Sequence, residues 1–144
     1  KNMATHMSIE VYEGRVLLTG VARSEDERAS AVNLAWKTEG VEDVMNEIGV
    51  GPAPAFSQIA PDTAITAALK SRLTFDGDVL AVNYAWATVR GAVFLLGIAQ
   101  SQAELDKVIA TARNISYVKR VVSYVRIKTP EEFDKEAEKK EGET

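Results

Sequence analysis

The chain has 144 residues, 17 basic and 21 acidic side chains, and a formal net charge of −4. It has no cysteine and a single histidine, which excludes disulfides, thiolate chemistry and cysteine metal sites. No stretch approaches the roughly 20 apolar residues that span a bilayer.

In chain order, Met7, Ile9 and Val11 alternate with Ser8, Glu10 and Tyr12, a strand pattern with one buried face. Glu13-Gly14 is a tight turn, and Val16 and Leu18 carry the inward face of an antiparallel second strand. Gly20 falls on that face, where a side chain would obstruct a packing helix. Ser24-Glu25-Asp26-Glu27 is a capping box, opening a helix whose stripe is Ala31, Val32, Leu34 and Ala35. Gly40 ends that helix, and residues 41–50 read as a third strand.

Gly51-Pro52-Ala53-Pro54 begins a linker over 51–60. Asp62 is the predicted N-cap of the next helix, with Ile65, Ala68, Leu69 and Leu73 as its stripe and Lys70 and Arg72 on its polar side. Phe75-Asp76-Gly77-Asp78 breaks it, a turn with two solvated carboxylates rather than a cation loop. Val82, Tyr84, Trp86 and Thr88 alternate with small residues, as in a strand. Gly91 turns the chain into a further strand ending at Gly97, and Ser101-Gln102-Ala103-Glu104 is a second capping box. A helix with Leu105, Val108, Ile109 and Ala112 follows, then a strand from Val121 to Ile127. Thr129-Pro130 opens a charged last helix with little apolar content, expected as a frayed tail over 129–144.

The chain repeats itself. Gly14, Val16, Leu18, Gly20, Ala22, Ser24, Glu27, Ala35, Val41 and Val44 recur 77 residues on as Gly91, Val93, Leu95, Gly97, Ala99, Ser101, Glu104, Ala112, Val118 and Val121. The coincidences are turn glycines, inward strand positions and capping residues, and none is a reactive cluster. The predicted fold is α+β: two tandem small sandwiches over 1–50 and 61–128, each a three-stranded mixed sheet with helices on one face, in the order αββαβ. The leading helix of the first copy would lie upstream of Lys1. Its absence exposes an apolar strip that either the other unit or a second chain would cover.

No catalytic apparatus is expected. His6 is the only histidine and lies in a possible vector remnant, and there is no phosphate-binding glycine motif. No cofactor or metal is predicted. Charge is uneven: residues 51–128 carry 9 basic and 5 acidic side chains, against 5 and 9 in residues 1–50. The basic residues are neither clustered nor interleaved with aromatics, which argues against nucleic acid. Tyr84 and Trp86 are either core or an interfacial anchor. Phe94, Leu96 and Ile98 make the outer face of their strand apolar, which predicts an interdomain or subunit interface there. Trp36 either joins that interface or caps its own core.

The pattern resembles the BON domain family of bacterial osmotically induced periplasmic and nodulation proteins. The residues that carry it are Gly14-Arg15-Val16-Leu17-Leu18-Thr19-Gly20 with Gly40-Val41-Glu42-Asp43-Val44, and Gly91-Ala92-Val93-Phe94-Leu95-Leu96-Gly97 with Val118-Lys119-Arg120-Val121. Tyr117 stands where the family pattern has glycine. The resemblance implies a periplasmic or outer-membrane protein that binds anionic phospholipid and supports envelope integrity under stress. It places the lipid surface around the second copy's first helix. The candidates there are Lys70, Arg72, Phe75, Val79, Tyr84 and Trp86. A protein-interaction or folding-helper role through Phe94, Leu96 and Ile98, with a possible homo-oligomer, is the alternative.

Overall fold

The computed structural model describes residues 6–142. The first module consists of β1 (Met7–Tyr12), β2 (Arg15–Ala22), α1 (Glu25–Lys37) and β3 (Asp43–Val50). The second consists of α2 (Phe56–Thr74), a 3-10 turn over Ala81–Asn83, β4 (Tyr84–Val89), β5 (Ala92–Ala99), α3 (Gln102–Arg113) and β6 (Arg120–Ile127), and α4 (Pro130–Gly142) follows. Each sheet has its middle strand antiparallel to the preceding strand and parallel to the last. This is the mixed αββαβ arrangement, complete with its leading helix in the second copy; the described part of the first copy begins at its first strand.

Both capping boxes form. The Glu27 N–H donates to Ser24 Oγ at 3.1 Å and the Glu104 N–H to Ser101 Oγ at 3.0 Å. The carboxylates reach one residue further back than the usual box, to the N–H groups of Arg23 and Gln100.

Four predicted details are corrected. The linker is shorter than 51–60, because α2 starts at Phe56 and runs through Pro61. Proline there gives up one internal hydrogen bond, and that loss makes position 61 read as a helix start. Asp62 is therefore no N-cap: its carboxylate accepts the backbone N–H groups of Arg90 and Gly91 at 2.7 and 2.9 Å, holding the β4–β5 turn. The strand pattern at Val82 begins only at Tyr84, leaving Val82 exposed. At Gly20 it is a strand, not a helix, that comes close. A Cβ there would lie 2.1 Å from the His6 carbonyl oxygen, and one on Gly97 would lie 2.1 Å from that of Asn83.

The modules pack sheet against sheet. Leu17 and Met45 of the first meet Ala92, Phe94 and Leu96 of the second, flanked by Tyr12, Val89, Val122 and Tyr124. Polar contacts frame this layer. Arg15 Nη1 donates to the Tyr124 carbonyl at 2.6 Å, the Tyr12 hydroxyl to Asn83 at 3.4 Å, and the Tyr124 hydroxyl to the Glu47 carboxylate. The buried Thr19 hydroxyl has no partner among the described residues.

On the far side of the first sheet the strip stays open. Ile9 and Val11 are each 57% exposed, and Leu34 beside them is exposed too. Their counterparts one repeat on, Trp86 and Thr88, are covered by α2: Trp86 Nε1 donates to the Thr66 carbonyl at 3.3 Å, and Thr66 Oγ1 to Thr88 Oγ1 at 2.8 Å. The second module does not cover the strip, since it occupies the opposite face of the sheet.

The Tyr124–Glu47 contact gives one pH dependence. The hydrogen bond to Glu47, then burial, push the Tyr124 phenol up to about 12 from 10.0. A raised folded value means this pair's stabilisation is intact below pH 10 and is lost as pH rises through about 12. An alkaline titration followed by phenolate absorbance should show more than one tyrosine titrating late, and Tyr124→Phe should remove the step near pH 12 while leaving the later one of Tyr84. An ordinary titration of all four tyrosines would contradict the contact.

Candidate functional site

The second copy buries a carboxylate whose counterpart in the first, Glu27, is only partly covered. Glu104 is 7% exposed. Its carboxylate accepts from the Tyr84 hydroxyl at 2.8 Å, the Leu80 N–H at 3.0 Å and the Gln100 N–H at 2.8 Å. Three donors to one carboxylate explain how a charged group is tolerated in this core. Burial first, and the Glu104 contact second, raise the Tyr84 phenol well above its ordinary value. As a capping box alone, Glu104 reads like Glu27; its role in holding Leu80 and Tyr84 appears only once α2 and its loop are folded over it.

The predicted lipid residues divide accordingly. Val79 and Tyr84 are buried among Ile65, Leu69, Leu73, Val93, Leu95 and Val108. They belong to the core and drop out of the candidate surface. Trp86 is half-buried beneath α2. Lys70 and Arg72 are exposed along the last turn and a half of α2, and Phe75 follows at 86% exposure. The fold adds two residues the sequence reading missed: Val82, 85% exposed, and Leu80, half-exposed. A strand period through Val82 hid them, because the 3-10 turn resets the alternation.

This apolar loop is pinned. Lys107 Nζ lies 3.0 Å from an Asp76 carboxylate oxygen and 2.7 Å from one of Asp78, and the Asp78 N–H donates to Asp76 Oδ1 at 2.9 Å. That backbone donor, then Lys107, hold the Asp76 carboxyl below its ordinary value, and the same pairs raise the Lys107 ammonium. Both acids of the turn are thus engaged by a lysine, while Phe75 and Val82 on either side of it are exposed, as are Lys70 and Arg72 on the helix before it.

The predicted interface residues also divide. Phe94, Leu96 and Ile98 are buried. Phe94 and Leu96 pack on Leu17 and Met45 of the first module, so the surface is interdomain and is not open to a second chain. Trp36 is half-exposed on α1 and joins no buried cluster. Among the described residues no group of histidine, cysteine or acidic side chains could hold a metal ion, and no helix is long and apolar enough to cross a membrane.

Together these features define a tandem α+β repeat protein whose second copy carries the basic and exposed aromatic surface. The BON domain family model matches residues 2–52 and 61–129, and the chain belongs to that family. It is 44% identical over 123 residues to an uncharacterized protein of the gshII 5' region of Anaplasma centrale, covering 85% of this chain and 82% of that one. It is 42% identical over 112 residues to the outer membrane lipoprotein DolP of Haemophilus influenzae, and 31% identical over 127 residues to the osmotically-inducible protein Y of Escherichia coli. These matches cover 77% and 87% of this chain, but only 57% and 63% of those relatives.

Proposed function

We propose that this is a non-enzymatic protein of the bacterial envelope that binds anionic phospholipid through its second module and supports the envelope under stress. Similarity to an outer membrane lipoprotein and to an osmotically inducible protein supports the envelope and stress part of this reading. The observation that carries the lipid part is the loop after α2. Phe75 and Val82 stand almost fully exposed on either side of the pinned Asp76–Asp78 turn, and Lys70 and Arg72 face solvent on the preceding helix. Exposed aromatic and branched side chains gain by entering the headgroup boundary, about 1.5–3 kcal/mol when fully buried. Each nearby cation adds on the order of 1 kcal/mol at an anionic surface.

Co-sedimentation with phosphatidylglycerol-containing and pure phosphatidylcholine vesicles tests this. Binding only to the anionic vesicles is expected, with about a tenfold loss for Phe75→Ser/Val82→Ser. Both substitutions lie at exposed positions and should leave the fold intact. Equal binding to both vesicles, or none to either, would overturn the reading.

A further inference from the structure

The two copies share one corner of the fold and use it oppositely. In the first module the β1–β2 turn ends at Glu13-Gly14, and the chain returns past it through Gly40 and Glu42. The Glu42 N–H donates to the Gly14 carbonyl at 2.7 Å. In the second module the same corner is Arg90-Gly91 with Tyr117 and Lys119, and the Lys119 N–H donates to the Gly91 carbonyl at 2.8 Å. A Cβ on Gly14 would meet the Gly40 carbonyl oxygen at 2.9 Å and the Glu42 side chain at 3.2 Å; one on Gly91 would meet the Tyr117 carbonyl oxygen at 3.0 Å and the Lys119 side chain at 2.9 Å. The backbone frame is therefore the same, while two acids have become two cations.

The third exchange costs stability. Gly40 has φ +87° and Tyr117 has φ +74°, both left-handed, a region that suits glycine and strains a bulky side chain. Tyr117 repays nothing to the core, since it is 81% exposed. It lines a groove of about 420 Å³ with Arg90, Lys119, Gln58, Pro61 and Ile65. Asp62 borders the same groove, but its carboxylate is engaged by two backbone N–H groups of the turn. A strained, exposed aromatic sharing one groove with two cations along one flank of α2 is the arrangement that a phosphate group with an attached apolar or polyol moiety would fit.

We infer that the Arg90–Tyr117–Lys119 corner is a phosphate-binding site, with Arg90 and Lys119 contacting the phosphate oxygens and Tyr117 covering the organic moiety. It lies at the turn between β4 and β5, separate from the Phe75–Val82 loop. It rests on the phospholipid reading only if the phosphate is a lipid headgroup. A free phosphate or phosphoester would satisfy the same chemistry.

Amide NMR on the whole chain separates the two sources. Inorganic phosphate should shift the Arg90, Gly91 and Lys119 amides saturably, and Arg90→Gln/Lys119→Gln should remove that shift. With phosphatidylglycerol-containing vesicles, a loss of binding of about tenfold for the same variant identifies a headgroup. Vesicle binding unchanged by the variant, together with a phosphate shift that it abolishes, identifies a free phosphate or phosphoester. Phe75→Ser/Val82→Ser should leave the phosphate shift intact, so failure of the loop reading is seen separately. Tyr117→Gly should raise Tm by about 3 °C by relieving the strain, and should still weaken vesicle or glycerol-phosphate binding. Arg90, Gly91 and Lys119 amides that respond to neither phosphate nor anionic vesicles would overturn the site. So would a Tyr117→Gly variant that binds as the wild type does.

Discussion

Gly97→Ala is expected to unfold the second module, at a cost of about 4 kcal/mol or more. The added methyl would sit 2.1 Å from the Asn83 carbonyl oxygen and 2.9 Å from the Tyr84 Cα. Both contacts are backbone, so no rotamer change relieves them. Gly97 also has φ +135°, a conformation in which alanine is strained by a further 1–3 kcal/mol or so. To admit the methyl, β4 must part from β5, which draws Tyr84 off Glu104. Denaturant titration followed by circular dichroism measures this. Gly77→Ala is the control: nothing lies within 4 Å of its added Cβ, so its midpoint should be close to the wild type's. A Gly97→Ala midpoint equal to the control's would mean that the strands do not approach as described. Gly20 has the same environment against His6 and should behave likewise in the first module.

Leu96→Glu is expected to be nearly as damaging, costing about 4–5 kcal/mol. Leu96 is fully buried in the layer that joins the sheets, where Tyr124–Glu47 and Arg15–Tyr124 are already paired and the Thr19 hydroxyl is the buried side-chain group left without a partner among the described residues. A carboxylate there would be desolvated with at most one hydroxyl as donor. Leu96→Ala, which leaves a cavity but no charge, should cost about 3 kcal/mol. The readouts are thermal unfolding and the radius of gyration, which should grow as the modules separate. A Leu96→Glu protein with unchanged Tm and reduced mass in light scattering would instead return this face to an interface between chains.

Much of the fold is legible because the duplicated residues act locally. Ser24 and Ser101 cap helices through donors three residues away, and Gly14 and Gly91 accept φ near +80° at turns. Such determinants need only the neighbouring chain, so they are visible at fixed spacing. The candidate site was legible in part. Lys70, Arg72 and Phe75 are exposed as the polar side and end of a helix should be, whereas Val79 and Tyr84 are not. The sequence reading extended one strand period through Val82 and could not see Glu104 reach back to Leu80 and Tyr84. Asp62 misled for a similar reason: next to Pro61 it has the form of a cap, and its true partners lie 28 and 29 residues away.

By itself the sequence determined that two α+β copies exist, where each turns and caps, and that the second is the basic one. These follow from periodicity, glycine position and charge, which are local or additive. Only the tertiary structure decided which apolar face is used up and which stays open. Phe94 and Leu96 pair with Leu17 and Met45, while Ile9 and Val11 remain exposed. Two apolar strand faces thus meet different fates, because burial depends on which surfaces come to face each other across the two sheets. The Arg90–Tyr117–Lys119 corner needed both levels: the repeat shows the exchanged residues, and the fold brings them together over Gly91.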